Sequence, residues 1–248
     1  MSVHSSANHE TLRELSERKS VRAFLPDPIR PEDRLAILEA AVQAPSAGNQ
    51  QLYTILEITD PGLKAQLSES CDHQPFIASA PMVLIFLADV RRWLDIYDAA
   101  GVQHRDPGPG DLLLAVSDAN IAAQNAVCAA WSLGVGSCYI GDIMEACETH
   151  REMLHLPCGV FPAAMLVFGY PTQQQKERVK PRRAPLSSIV QENAYHIREA
   201  DELRAMTEKD WHVSSFEDWV QRFCQRKYNS SFAREMSRSV AEYLKDYQ

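Results

Sequence analysis

No two of the six cysteines, Cys71, Cys128, Cys138, Cys147, Cys158 and Cys224, form a Cys-x-x-Cys pair. That excludes a disulfide framework and a thioredoxin-like redox motif, and the six are read as reduced thiols. No Gly-x-Gly-x-x-Gly run follows any predicted strand, so the dinucleotide-binding fingerprint is absent. The longest apolar run, Phe76 to Ala88, falls short of the roughly 20 residues that cross a bilayer. The N-terminus, Met1 to Glu10, is polar and has no apolar core of a secretory signal. The expected location is therefore cytoplasmic, with no membrane partner. Basic residues are the minority, 25 Lys and Arg against 33 Asp and Glu, for a formal net charge of −8. An acidic surface repels polynucleotides, so no nucleic-acid partner is expected.

What is present is the composition of an ordinary globular protein, 45% hydrophobic and 23% charged over 248 residues. That length suffices for one generous domain with an appendage. Glu10 to Glu17 reads as a short helix. Pro31 suits the first position of a second helix, in which Leu35, Leu38, Ala41 and Val42 share a face and which stops before Pro45. Tyr53 to Ile58, Pro81 to Ala88, Val135 to Ile140 and Phe161 to Tyr170 read as strands. The second of these is apolar throughout, as a strand buried on both faces should be. Pro61 to Cys71 and Glu145 to Leu154 read as helices, residues 91–110 as irregular. Asp111 to Leu133 reads as a long alanine-rich helix ended by Gly134. Few, irregularly spaced strands among helices favour an α+β fold with a mixed sheet in two or three layers over a regular doubly wound one.

The tail is more charged and helical. Phe216, Trp219, Val220 and Phe223 form one apolar stripe, and Phe232, Met236, Val240, Tyr243 and Leu244 form another. Two such helices lack the mass for an independent core and must pack on the main body or on a partner subunit. The expected division is a domain at 1–190 and a helical extension at 191–248.

Three separated pieces carry candidate chemistry. Arg18-Lys19-Ser20-Val21-Arg22 offers guanidinium forks and a hydroxyl suited to a phosphate. Read alone, it is a solvated basic helix end sooner than a phosphate site. Ala44-Pro45-Ser46-Ala47-Gly48-Asn49-Gln50-Gln51 ends a helix with small residues and amides, which suits the donor–acceptor edge of a flavin or a plain connecting loop. Lys180-Pro181-Arg182-Arg183 is a second basic cluster, by itself a solvated charge run.

In this order the pieces resemble the nitroreductase family of FMN enzymes over about residues 10–190. The matching elements are Arg18 to Arg22, Ala44 to Asn49, the run Leu133 to Gly141, and Gly169-Tyr170-Pro171 ahead of the basic segment. The resemblance implies a nitroreductase-like central mixed β-sheet flanked by helices and a domain-entwined homodimer. It implies FMN as cofactor and NAD(P)H as co-substrate. Arg18, Lys19 and Ser20 would meet the phosphate and ribityl chain, and Arg22 the N1 and C2 edge. Pro45, Ser46 and Ala47 would line the flavin from the partner subunit, with Asn49 nearby. Backbone groups of Ile140 and Gly141 would approach N5 and O4. Arg183 would pair with the phosphate, helped by Arg182 or Lys180. The activity implied is ping-pong hydride transfer from NAD(P)H to an electron-poor small molecule such as a nitro compound, quinone or flavin. No protein nucleophile or metal is needed, because the cofactor carries the chemistry. A non-catalytic flavin carrier or regulator, and a specialised reductive dehalogenase or flavin-fragmenting relative, are the alternatives on the same fold. Two departures stand out. Gln51-Leu52-Tyr53 replaces the common Gln-Pro-Trp, and the tail beyond Val190 is longer than in compact members, which bears on substrate class.

Other residues are set aside. Cys147, His150, His155 and Cys158 have metal-like spacing, but on a helix His155 falls about 140° from His150. Cys128 and Cys138 read as packed small hydrophobes. Trp93 and Tyr97 read as a core pair rather than a substrate clamp, and His104 and Arg105 as solvated.

Overall fold

Alanines decide how the core is layered. The computed structural model describes residues 9–211 and 215–248. Most of the polar N-terminus read above, residues 1–8, lies outside them. Four strands, β1 (Tyr53–Glu57), β2 (Met82–Asp89), β3 (Gly136–Ile140) and β4 (Val160–Gly169), form one sheet in the order β1-β2-β4-β3. All three pairings are antiparallel, with a register shift between Phe86 and Leu87. The parallel component of the expected mixed sheet is a bridge between Ser20 and Ser137. Every residue of the central strands β2 and β4 is buried, as their unbroken apolar runs require.

The described residues also form twelve α-helices: α1 (Glu10–Glu17), α2 (Pro31–Val42), α3 (Pro61–Ser70), α4 (Pro75–Ala78), α5 (Arg91–Ala99), α6 (Pro109–Ser132), α7 (Cys147–Leu154), α8 (Gln173–Glu177), α9 (Leu186–Ile189), α10 (Ala200–Trp211), α11 (Phe216–Lys227) and α12 (Ser231–Leu244). On one face of the sheet, Leu84, Phe86, Leu166 and Phe168 pack with Ala115, Ala119, Ala122, Ala123, Ala126 and Ala130 of α6. These small side chains let the helix lie close to the strands. On the other face Val83, Ile85, Met165 and Val167 pack with Leu67 of α3, Ile77 of α4 and Ile143. The result is three layers. By length and composition α6 could cross a bilayer, yet its alanine face is spent on this core.

Its start is built from side chains. Pro109 takes the first turn, the Asp111 carboxylate accepts from the Gly108 N–H at 2.8 Å, and Arg105 holds that carboxylate with two bonds. Three sequence expectations change here. Residues 91–110 are not irregular throughout: α5 occupies Arg91–Ala99, its polar surface having hidden it. The buried face of α2 is Asp33, Ile37 and Ala41, whereas Leu35 and Val42 are exposed. The tail holds α10 as well as the two expected helices.

The chain divides at points other than 190. One unit comprises residues up to Val179 together with Glu235–Gln248; the second is Lys180–Arg234. In the second, Trp211, Trp219 and Phe223 stack in series, and Arg204 lies over Phe216. In the first, Tyr243 and Tyr247 are fully buried, Tyr243 edge-on to Phe161 at 5.0 Å.

The segment after α1 is stitched to the sheet edge. Val21 N–H donates to the Ser137 carbonyl at 2.8 Å, and Leu25 N–H to that of Tyr170 at 2.8 Å. A Cβ on Gly136 would lie 2.6 Å from Val21 Cγ2, and one on Gly169 would lie 2.8 Å from the Phe24 ring. Gly136→Ala is therefore expected to cost about 1–3 kcal/mol, as overpacking does. Adding Val21→Ala should recover part of the loss. Urea denaturation of the single and double variants measures both.

Candidate functional site

The stitched segment concentrates cations beside β3. Along an extended chain alternate side chains face opposite ways. Val21 faces the core, and Lys19 donates its ammonium to the carbonyl of Lys176 at 2.6 Å and to that of Arg178. Lys19 thus braces residues 176–178, which occupies the group expected to meet a phosphate. Arg18, Ser20 and Arg22 are the alternate set. Arg18 lies within electrostatic reach of Tyr139, and Arg22 and Ser20 adjoin Cys138. Burial pushes the Tyr139 phenol up to about 12, and Arg18 opposes that shift.

Arg178, which the sequence reading passed over, donates through Nη2 to the Ser20 carbonyl. Among the described residues none of Arg18, Lys19, Arg22 and Arg178 is ion-paired, although the chain is acidic overall. Nη1 of Arg18 and Nε of Arg178 are buried and have no hydrogen-bond partner among the described residues. A buried guanidinium N–H left unmatched costs roughly 1–3 kcal/mol or more, which an anion placed there would recover.

The second expected piece is a tight loop. Ala47–Asn49 forms one 3₁₀ turn, and Gly48, Asn49 and Gln51 have φ of 56°, 57° and 51°. Asp118 of α6, almost wholly buried, holds this loop. Its two carboxylate oxygens accept from Ala47 N–H at 3.0 Å and Leu52 N–H at 3.2 Å. The Ser46 hydroxyl accepts from Gln51 N–H at 3.0 Å. From α5, Trp93 Nε1 donates to the Gln50 carbonyl at 2.8 Å, and Arg92 donates to those of Gln51 and Tyr53. Pro45 and Asn49 remain exposed on the outside. Asp118 was missed because a single Asp in an alanine-rich helix reads as solvated. Its place on the face of Ala115, Ala119 and Ala122 was the available signal.

The third element is the end of β3. Ile140 is buried, and Gly141 opens a 3₁₀ turn, Gly141–Met144, that leads into α7. The segment is buttressed from α12: Glu235 accepts from Ala146 N–H at 3.2 Å and the Ser239 hydroxyl from Cys147 N–H at 3.0 Å. Glu145 sits between, with Oε1 buried and unmatched among the described residues. Burial, then repulsion from Asp142, Asp72 and Glu235, raises its carboxyl to about 7.

Arg182 and Arg183 lie in the second unit, where Arg183 donates to the Pro181 carbonyl at 3.4 Å. Arg18, Ser20, Arg22 and Ile140 gather along β3, followed by Gly141. Pro45, Ser46, Ala47 and Asn49 gather in the loop held by Asp118. His150 has both ring nitrogens engaged, by Ser70 Oγ at 2.9 Å and the Ile143 carbonyl at 2.9 Å, so it is a structural imidazole.

The class is set by the fold: three α+β layers with a cationic edge segment, a small-residue loop in left-handed backbone and a glycine turn. Comparison with known proteins narrows it. The family model described as "Nitroreductase family" matches residues 15–170. "FMN reductase [NAD(P)H]" of Bacillus subtilis is 30% identical over 239 residues, covering 95% of this chain and 91% of that one. "Oxygen-insensitive NADPH nitroreductase" of Salmonella typhimurium is 35% identical over 185 residues, covering 75% and 74%. The solved structure of NADPH:FMN oxidoreductase from Vibrio harveyi complexed with NAD+ superposes with a TM-score of 0.79 at 25% identity, covering 94% and 97%. The chain belongs to the nitroreductase family.

Glu145 gives the region a pH signature. Its raised folded value means that the native state holds the proton more tightly than the unfolded chain. This contribution is complete below pH 4.5 and is lost as pH rises through about 7. Glu145→Gln should abolish that loss, gaining on the parent between about pH 5 and pH 8 in urea denaturation. His150, lowered by burial, works in the opposite direction but equally in both proteins, so it cancels.

Proposed function

We propose that the protein is an FMN-dependent oxidoreductase that passes hydride from NAD(P)H to an electron-poor small molecule in ping-pong order. The observation that carries this is the unpaired cationic cluster at β3, with the buried, unmatched Nη1 of Arg18 at its centre. A flavin phosphate has the charge and acceptor oxygens that such donors lack. The relatives' names, FMN reductase and NADPH nitroreductase, support the same reading.

When bound, the flavin would supply the hydride chemistry, and the protein's part is placement and charge. Arg18 and Ser20 would hold the phosphate and ribityl chain, with Lys19 and Arg178 fixing the backbone around them. Arg22 would stand at the N1 and C2 edge, where a guanidinium favours negative charge in a water-poor site. Backbone groups of Ile140 and Gly141 would meet the N5 and O4 edge. Arg182 and Arg183 are assigned to the phosphate on the resemblance alone. Pro45, Ser46, Ala47 and Asn49 would come from a second copy of the chain. Small molecules, nitro compounds, quinones or flavins, are the acceptors.

A homodimer is part of the proposal, on a surface of α6 other than its alanine face. Those alanines are buried in the chain's own core, whereas Leu113, Ser117 and Ile121 form an exposed stripe at i, i+4, i+8 of the same helix. Exposed Leu35 and Val42 of α2 add apolar surface.

Two measurements test this. The purified protein should carry about one FMN per chain, bleached by NADH or NADPH without oxygen, and Arg18→Ala should lower FMN affinity by about tenfold or more. Bound flavin that NAD(P)H does not bleach would make the protein a carrier, and full occupancy in Arg18→Ala would remove the phosphate assignment. In sedimentation, the parent should be a dimer at micromolar concentration, and Leu113→Glu with Ile121→Glu should shift it to monomer with weakened FMN binding. Unchanged association would place the interface elsewhere.

A further inference from the structure

Between α5 and α6 the chain runs as a strap with few main-chain ties. The last of them are Gly101 N–H to the Asp98 carbonyl at 3.0 Å and Val102 N–H to the Tyr97 carbonyl at 2.9 Å. No main-chain N–H of residues 103–107 has a hydrogen-bond partner among the described residues. Side chains therefore hold this stretch. It lines a cavity of about 230 Å³, which is also walled by Trp93 and Tyr97 of α5 and Leu114 of α6, with Gln50 at the edge.

Two anchors do the holding, both read from the sequence as solvated. Arg105 bonds Asp111 of α6 twice, at 2.7 and 2.8 Å, and keeps that carboxyl below the usual range, so this clamp does not titrate near neutral pH. His104 is different. Its Nδ1 faces the Arg105 carbonyl at 2.9 Å and its Nε2 faces the Asp98 carboxylate at 3.1 Å. A carbonyl and a carboxylate only accept, and a neutral imidazole has one N–H. Only the imidazolium can donate to both. His73 and His196 each meet a carboxylate through one nitrogen, which a neutral ring can serve. The charged groups facing His104 are Asp98 from α5 and Asp106 from the strap, and both favour the cation. The Arg105 charge beside it is taken up by Asp111. The bond to the Arg105 carbonyl, then that to Asp98, raises the ring above the ordinary histidine value of about 6.5. The charged tie is complete below about pH 6.5 and is lost as pH rises through the higher folded value.

We propose that His104 is a proton-operated latch: as the imidazolium it ties the strap at 103–107 to α5, and as the neutral ring it gives up one of its two ties and lets the strap lift from the cavity. The latch stands apart from the oxidoreductase reading and holds whether or not a cofactor binds. Gln50 belongs both to the cavity wall and to the loop held by Asp118, so release of the strap opens the space beside that loop.

Two readouts on the full chain test the latch. In a carbon-detected NMR titration the His104 Cε1–H signal, assigned by its loss in His104→Gln, should titrate above about pH 6.5. Asp98→Asn should move that midpoint down, because it keeps an oxygen acceptor and removes the charge. Trypsin cutting after Arg105 reads the strap itself. His104→Gln carries no charge at any pH, so the ratio of its cutting rate to the parent's cancels the pH dependence of trypsin. That ratio should be roughly two to five near pH 6, the value of one exposed charged tie, and about one near pH 8.5. A midpoint at or below about 6.5, a ratio that is the same at both pH values, or no cut after Arg105 near pH 8.5 would each overturn the latch.

Discussion

Val21 occupies the space that a side chain at residue 136 would need, and the cationic edge depends on that fit. With glycine at 136, the segment after α1 closes against β3 through the Ser20–Ser137 bridge and the Val21 N–H. Once Val21 faces inward, strand alternation assigns Lys19 to the same set and Arg18, Ser20 and Arg22 to the other. The cation gathering is thus a consequence of register. Its cost is an unmatched guanidinium N–H, roughly 1–3 kcal/mol. Burying Val21 contributes a similar amount, about 1.5–3 kcal/mol. The two nearly cancel, so the backbone bonds to Ser137 and Tyr170 and the Lys19 brace decide that the segment stays in place.

The second constraint runs through α6. Its alanines bring it close to the sheet, which carries Asp118 into the interior beneath the loop at 46–52. A buried carboxylate is tolerated where N–H donors meet both oxygens, and here two backbone amides do so. The loop needs such a clamp. Asn49 and Gln51 adopt left-handed backbone that non-glycine residues avoid, at a cost on the order of 1–3 kcal/mol each. Asp118, Ser46, Arg92 and Trp93 together hold it from below and from the side. The conformation is fixed before any ligand arrives, which suits a loop proposed to line a cofactor.

Much of this was legible in the residues. Proline at the first turn marked α2 and α3, the alanine run marked α6, apolar runs marked β2 and β4, and the sets around Arg18, Pro45 and Gly141 were named from the sequence. What escaped did so for physical reasons. Helix α5 is amphipathic, with Trp93 and Leu94 packed against the core, but it is short, buries no residue fully and runs into the breakers Gly101 to Gly110, which drew the whole stretch into a loop reading. In α2, Leu35 and Val42 looked like core, but the helix packs on α6 and buries Ile37 and Ala41 instead, which leaves the other two exposed. The Lys19 ammonium could not be assigned to carbonyls 157 and 159 residues away by any local pattern. Asp118 and Arg178 are visible as functional only once the tertiary fold brings backbone groups to them.

The C-terminal segment follows from the same logic. The family match ends at residue 170, yet residues 235–248 belong to the first unit and bury Tyr243 and Tyr247 in its core. Glu235 and Ser239 supply acceptors to the first amides of α7, which would otherwise be unmatched. Arg238 holds Glu148 with two bonds, and Asp246 accepts from Arg151 and from Gly159 N–H. Upstream of these anchors the chain reverses through Gly141–Met144, and Met236 stands 4.0 Å from where a Gly141 Cβ would be. A turn fixed at its downstream end by capped amides and covered by a side chain has little freedom to shift. The tail therefore acts on the glycine turn from behind, through α7, and its last helix is part of the structure that sets where the Ile140–Gly141 backbone lies.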